Sequence, residues 1–169
     1  ATDTEGFFTQ EVTSIRVNTP PESPLLQFVP AAVGTGDDIA ISASSIDADG
    51  DALSYSYAWT KNGAITTYAT DVVPASATTV GDLWTVTVEA SDGYATGAAS
   101  VGSIVVLNVP PSLSNLQITS SHGPYNDSTF TCAATVTDPD EVLIPSVQWS
   151  WNGQVFNTTT LNISSLPVL

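Results

Sequence analysis

The fold is decided by residues 57–63, YAWTKNG, which recur as VQWSWNG at residues 147–153. In both stretches a tryptophan stands three residues before an Asn-Gly pair. The two tryptophans, Trp59 and Trp149, lie 90 positions apart. Asn-Gly between apolar runs is typical of the tight turn of a β-hairpin. The two stretches therefore indicate the same hairpin, used twice.

Two proline-containing stretches keep the same offset. VNTPP at 17–21 and LNVPP at 107–111 both place Asn-x-Pro-Pro after a β-branched run. One offset that holds in separated stretches indicates a tandem duplication, and the Pro-Pro pairs are typical of short, stiff linkers. The repeat predicts C-terminal strands of a preceding repeat at 1–18, a complete β-sandwich repeat at 19–108, and a second repeat, incomplete by about one or two strands, at 109–169.

The segments between these markers alternate with a period of two, which is typical of half-buried strands. LWTVTVEA at 83–90 places Trp84, Val86 and Val88 on one face, and TFTCAATV at 129–136 has the same pattern. No amphipathic helical stretch of useful length is present. About seven short strands per repeat, with one tryptophan on a central strand, predict an all-β fold of tandem Greek-key immunoglobulin-like β-sandwiches.

The charge balance limits which classes of partner the chain can bind. Lys and Arg total 2 against 17 Asp and Glu, which gives a formal net charge of -15. Nucleic acid is not an expected partner, because its phosphates are bound mainly by Lys and Arg. No apolar run approaches the roughly 20 residues of a membrane-spanning helix, so no membrane insertion is expected in this segment. The composition, rich in Thr, Ser and Val and poor in Lys, favours an extracellular or cell-surface location.

Three stretches carry a resemblance: DADGDALSYSYAWTKNG, GDLWTVTVEASDG and VVLNVPPSL. They resemble the PKD-like and cadherin-like immunoglobulin-fold repeats of large bacterial or archaeal surface proteins. The resemblance implies a stalk, adhesin or sheath, often stiffened by calcium. The second repeat departs from the pattern, because DPDE at 138–141 replaces the acidic loop of the first.

The acidic loop itself presents Asp47, Asp49 and Asp51 at alternate positions, with Gly50 allowing a bend. Calcium prefers six to eight oxygen ligands, and carboxylates spaced in this way can converge on one ion. The alternative is an exposed Asx-type turn between two strands. Further candidate calcium ligands are Asp138, Asp140 and Glu141 of the second loop, and the linker residues Asn18 and Asn108, which resemble cadherin-like linkers that lend oxygens.

No catalytic arrangement is expected. His122, the only histidine, lies in a Ser- and Gly-containing stretch that predicts a solvated loop. A Ser-His-Asp triad or a Cys-His metal cluster cannot be assembled around it. Cys132, the only cysteine, is expected on a strand as a small apolar residue, with pairing to a cysteine outside this chain as the alternative. We therefore expect a protein that is not an enzyme.

Other surface features have functional interpretations. Trp151 stands where the first repeat has Lys61, on the expected outward face, and with Phe156 it is the candidate for ligand stacking. Three sequons predict glycosylation at Asn126, Asn157 and Asn162, all in the second repeat.

The expected function is an extracellular structural protein: a tandem β-sandwich segment of a surface fibre, stalk or sheath. Its expected partners are neighbouring repeats or identical subunits. Residues 1–18 resemble residues 90–108, so they are expected to complete the second repeat of another subunit by strand addition, unless the chain is a window on a longer polypeptide. The alternative function is a carbohydrate-binding or adhesin module that recognises a surface ligand.

Overall fold

The computed structural model describes residues 14–123, 125, 127–162 and 164. The protein is all-β, with a 3₁₀ turn at Ala75–Ala77 between its strands. No helix in the described residues is long and apolar enough to cross a membrane. The strands are β1 (Leu25–Val29), β2 (Val33–Gly34), β3 (Ile39–Ser44), β4 (Ser54–Lys61), β5 (Ala64–Ile65), β6 (Val72–Val73), β7 (Leu83–Ser91), β8 (Ser100–Leu107), β9 (Ser112–Ser120), β10 (Thr129–Thr137), β11 (Trp149–Trp151), β12 (Gln154–Phe156) and β13 (Thr160–Asn162).

Backbone contacts divide the chain into two compact units. The first unit comprises, among the described residues, 14–31, 39–73 and 83–104. One of its sheets has the strand order β1-β3-β6. In the other, β8, β7, β4 and β5 follow one another, and β7 pairs antiparallel with all eight residues of β4.

The core of the first unit lies between these sheets. Ile39 and Val73 from the first sheet are fully buried, as are Trp59 and Trp84 from the second. The rings of Phe28 on β1 and Trp59 on β4 lie 6.4 Å apart, so the two sheets pack face to face. This arrangement is consistent with a β-sandwich.

The second unit comprises 32–38, 74–82 and the described residues from 105 on. The short strand β2 pairs in parallel with the end of β8, where Val33 lies opposite Val106. A three-stranded sheet has the order β13-β10-β9, and β11 and β12 form a hairpin. The β9–β10 pair contains a bulge between Ala133 and Thr135, beside Asn115, whose φ is 52°.

The internal repeat is visible in the three-dimensional structure of each unit. The indole N–H of Trp59 donates to the carbonyl of Thr70 at 2.8 Å, and that of Trp149 donates to the carbonyl of Thr158 at 2.9 Å. The sheet β1-β3-β6 corresponds to β9-β10-β13, and the hairpin β4–β5 to β11–β12. Both hairpins turn through Asn-Gly with positive φ at both residues, the geometry that favours this pair: Asn62, Gly63, Asn152 and Gly153.

The predicted all-β class is confirmed. The predicted alternation of β7 is also confirmed, because Trp84, Val86 and Val88 are at most 1% exposed. In β10 the same alternation leaves the inward side chains only half-buried. The domain boundaries at 18/19 and 108/109 stay a prediction, and residues 1–13 of the N-terminal segment lie outside the described residues.

Candidate metal site in the Asp47 loop

The loop between β3 and β4 gathers the three aspartates that the sequence singled out. Asp47 Oδ1 accepts hydrogen bonds from the backbone N–H of Asp49, at 2.9 Å, and of Asp51, at 3.1 Å. Gly50 continues the turn with a φ of 76°, in the left-handed region that glycine adopts most readily. Each aspartate offers one oxygen, and these oxygens all lie within 4.8 Å of one another. The cluster could hold a metal ion.

Two buried oxygen atoms at this loop and its linker have no hydrogen-bond partner. They are Asp47 Oδ2 and Asn18 Oδ1. A buried acceptor without a donor costs about 1–3 kcal/mol, and more when it carries charge. The close carboxylates also repel one another. A cation bound among the three carboxylates would offset their repulsion and provide a partner for Asp47 Oδ2.

The linker predicted from the sequence, which contains Asn18 and Thr19 and lies within the first unit, is attached to the same loop. The backbone N–H of Thr19 donates to Asp49 Oδ2 at 2.6 Å, and Asn18 Nδ2 donates to Asp92 Oδ2 at 2.8 Å. The Arg16 guanidinium forms an ion pair with Asp51 and lies 4.5 Å from the centre of a tyrosine ring, that of Tyr94. The linker therefore contacts both the acidic loop and the turn that follows β7.

Arg16 is one of two cationic side chains of the Lys or Arg type in the sequence. The hydrogen bond to Asp51 raises the pKa of Arg16 above its usual value, since the carboxylate favours the charged guanidinium. Any metal ion at the cluster would share Asp51 with this guanidinium. The positive charge of the Arg16 guanidinium therefore opposes the binding of a metal ion at the cluster.

Asp92 is the site residue that sequence reasoning missed. An Asp-Gly pair such as Asp92-Gly93 indicates no more than a turn, whereas the structure shows a buried carboxylate, 7% exposed, bonded to the linker. Its Oδ1 accepts the N–H groups of Tyr94 and Ala95 at 2.7 and 2.6 Å. The bond from Ala95, followed by that from Asn18, holds the pKa of Asp92 below its usual value.

This depressed pKa predicts a pH dependence of stability. A carboxylate whose folded pKa lies below its unfolded pKa stabilises the fold above the unfolded value, about 3.9, and this contribution disappears as the pH falls through the folded value. With chelator present, we expect wild type to exceed Asp92→Asn in unfolding free energy at about pH 6, and the difference to shrink below about pH 4. Urea denaturation at a series of pH values measures it, with Glu89→Gln as the charge-matched control. A difference that grows on acidification would contradict the assignment.

The second acidic loop repeats the linker contact of the first. The N–H of Val109 donates to Asp140 Oδ2 at 2.9 Å, as Thr19 does to Asp49. Asp138 Oδ1 accepts the N–H groups of Asp140 and Glu141 at 2.7 and 3.2 Å. Asp140 Oδ1 is buried without a partner. Among the described residues, however, only the first loop brings three carboxylates into a cluster of metal-binding size.

The linker asparagines and the histidine differ in their surroundings. Asn18 is part of the contact network described above, whereas Asn108 is exposed. His122 is exposed too, and its Nδ1 lies 3.1 Å from the hydroxyl of Ser121. Neither Asn108 nor His122 belongs to the Asp47 cluster.

The candidate stacking residues lie on the β11–β12 hairpin. Trp151 is 39% exposed, and Phe156 is half-buried opposite Trp149. Trp151 follows Trp149 by two residues, so strand alternation places both on the same face. Trp151 is nevertheless more exposed than Trp149, and its role as a ligand-stacking residue stays a prediction.

The remaining candidate positions are in the second unit. Asn157 and Asn162 are exposed, and their Oδ1 atoms accept hydrogen bonds from Gln148 and Ser164. Asn126 lies outside the described residues. Cys132 is half-buried, unpaired with another cysteine, and opposite Ile118 on β9. Glycosylation at the three sequons stays a prediction.

No protein-family model matches the sequence, and no curated protein matches it significantly.

Proposed function

We propose that this chain is a segment of an extracellular fibre, stalk or sheath, built from tandem Greek-key immunoglobulin-like β-sandwiches of the PKD-like or cadherin-like kind. Its role is mechanical and not catalytic. The observation that carries the proposal is the repeated linker contact: Thr19 on Asp49, and Val109 on Asp140. A linker that is bonded to the acidic loop of the sandwich after it favours a defined orientation over a flexible tether.

In this proposal calcium stiffens the linker. The Asp47 cluster supplies carboxylate oxygens, the ligands that calcium prefers, and Asn18 Oδ1 is a buried acceptor without a donor on the linker itself. An ion bound in the loop would strengthen the contact between the loop and the segment that contains Asn18 and Thr19. The acidic surface, with a net charge of -15, also suits a cation-rich extracellular medium.

Calcium is therefore expected to raise the midpoint of thermal unfolding relative to excess chelator. At about 100 times the dissociation constant, a ligand that binds only the folded state adds about 2.7 kcal/mol. Scanning calorimetry in millimolar calcium, in magnesium and in chelator measures this shift. Asp49→Asn should lose the calcium-dependent shift, because it removes a ligand charge.

The control is Glu89→Gln, which removes the same charge from an exposed position on β7 and should keep the full shift. Equal shifts in wild type and Asp49→Asn would mean that the loop is an acidic turn. A shift with magnesium as large as that with calcium would contradict the choice of calcium.

A further inference from the structure

Arg16 places a positive charge of the chain itself on the Asp47 cluster. Its guanidinium forms an ion pair with Asp51, one of the three aspartates that the loop gathers. Arg16 is the single arginine of the sequence and Lys61 the single lysine, against 17 acidic residues. Most carboxylates therefore have no Lys or Arg to pair with. One of the two such cations nevertheless lies at the site proposed for calcium.

The guanidinium is bound by contacts that water can reach. The side chain of Arg16 is 46% exposed and that of Asp51 is 20% exposed. The guanidinium also lies 4.5 Å from the centre of the Tyr94 ring, and Tyr94 is 69% exposed. Ion pairs and cation–π contacts in such positions are weak, because solvent screens the charges. A divalent ion that binds several carboxylates at once can therefore displace the guanidinium from Asp51.

The segment that carries the guanidinium can move without disturbing the sandwich. Residues 14–17 are exposed and belong to no strand, so their release breaks no strand pairing. The next two residues are fixed by separate hydrogen bonds, from Asn18 Nδ2 to Asp92 and from the N–H of Thr19 to Asp49. The linker can thus lose the contact of the guanidinium and keep these two.

We propose that Arg16 regulates the Asp47 cluster by competing with calcium for Asp51. This inference rests on the proposed function and names the regulation of its ion site. Without calcium, the guanidinium neutralises part of the charge of the loop and holds the segment before Asn18 at the loop. With calcium, the ion binds Asp51 and the guanidinium leaves, while Asn18 and Thr19 keep the linker in place. Arg16 thereby sets the calcium concentration at which the linker changes its contacts.

The competition is a coupling between two cations at one carboxylate. Calcium and the guanidinium repel each other at the few ångströms that separate two partners of the same aspartate. The coupling is reciprocal, so calcium weakens the contact of Arg16 with Asp51 by the factor by which Arg16 weakens calcium binding. Couplings between sites usually change affinity about 5- to 150-fold. Because Arg16 is half exposed, we expect the lower end of this range, about fivefold.

The first test is a calorimetric titration of the full chain with calcium. Arg16→Gln removes the competing charge and should bind calcium about five times more tightly than wild type. Lys61→Gln is the matched control, because it removes the other Lys or Arg charge, from β4, and should leave the dissociation constant unchanged. Arg16→Lys keeps the charge and should bind calcium nearly as wild type does. Circular dichroism in chelator checks that each variant is folded.

The second test observes Arg16 itself. Because the sequence has one arginine, the guanidinium N–H signals in a nitrogen-15 spectrum belong to Arg16 without ambiguity. Calcium should move these signals toward the positions of a free arginine side chain. The midpoint of this change should equal that of the calorimetric titration. Arg16 signals that stay unchanged at saturating calcium would overturn the inference.

The remaining outcomes separate this inference from the proposed function. If wild type binds calcium at least as tightly as Arg16→Gln, the competition is refuted and the calcium-stiffened linker survives. An equal gain in Lys61→Gln would assign the effect to net charge and would also refute the competition. Calcium binding by Arg16→Gln alone would support the competition and remove calcium from the proposed function. Binding by neither protein would overturn both.

Discussion

Replacing Trp59 with alanine should lower the unfolding free energy of the first unit by about 3–5 kcal/mol, the usual cost of removing a buried tryptophan. Trp59 is 1% exposed and contacts aromatic rings on both sides, Phe28 at 6.4 Å and Trp84 at 6.3 Å. Its indole N–H also bonds to the carbonyl of Thr70. The substitution leaves a cavity between the two sheets and an unpaired carbonyl, and the rigid β4–β7 pair cannot collapse to fill it.

The repeat provides a matched control. Trp149 is the same residue type at the same position of the second unit, with the same indole hydrogen bond, but it is only half-buried. Trp149→Ala should cost about 1–2 kcal/mol, in proportion to the smaller apolar area removed from water. Hydrogen exchange resolved by segment separates the units, since β4 and β7 report on the first and β10 on the second. Equal losses in the two units would contradict an effect set by the smaller burial of Trp149.

The secondary structure could be predicted because it depends on local pattern. Alternation of apolar and polar residues fixes which side of β7 is buried, and Asn62-Gly63 fixes the turn after β4. The three aspartates of the first loop were found for the same reason, since their spacing lies within five residues. These features need no knowledge of distant parts of the chain.

The rest of the site depends on contacts between distant residues. Asn18 and Asp92 are 74 positions apart, and no local pattern pairs them. An Asp-Gly pair is usually only a turn, so the burial of Asp92 had no signal in one sequence. Likewise, the alternation of β10 shows which side faces inward but not whether another strand covers that side. Cys132 lies on the inward side of β10 and is only half-buried, which its own strand pattern does not indicate.

Gly97→Ala, between β7 and β8, should lower the unfolding free energy by about 1–3 kcal/mol through overpacking against the linker. A Cβ at this position would overlap the carbonyl oxygen of Pro21 and lie 3.0 Å from its carbonyl carbon. Both are backbone atoms of a buried proline, so no side-chain rotation relieves the contact. The N–H of Gly97 is also fixed, by a bond to the carbonyl of Ala90. The linker must therefore move away from the sheet.

That movement has a second consequence, which separates it from general destabilisation. Pro21 follows Thr19 by two residues, so displacing it pulls the linker from Asp49 and Asp92. If calcium binds as proposed, Gly97→Ala should reduce the calcium-dependent rise in the unfolding midpoint as well as the midpoint in chelator. Gly102→Ala is the control, because its Cβ would meet the Phe28 ring at 3.3 Å, where a small shift of a side chain suffices. Calorimetry with and without calcium measures both. A Gly97→Ala protein with a lowered midpoint but the full calcium shift would show that the ion is held by the Asp47 loop without the linker.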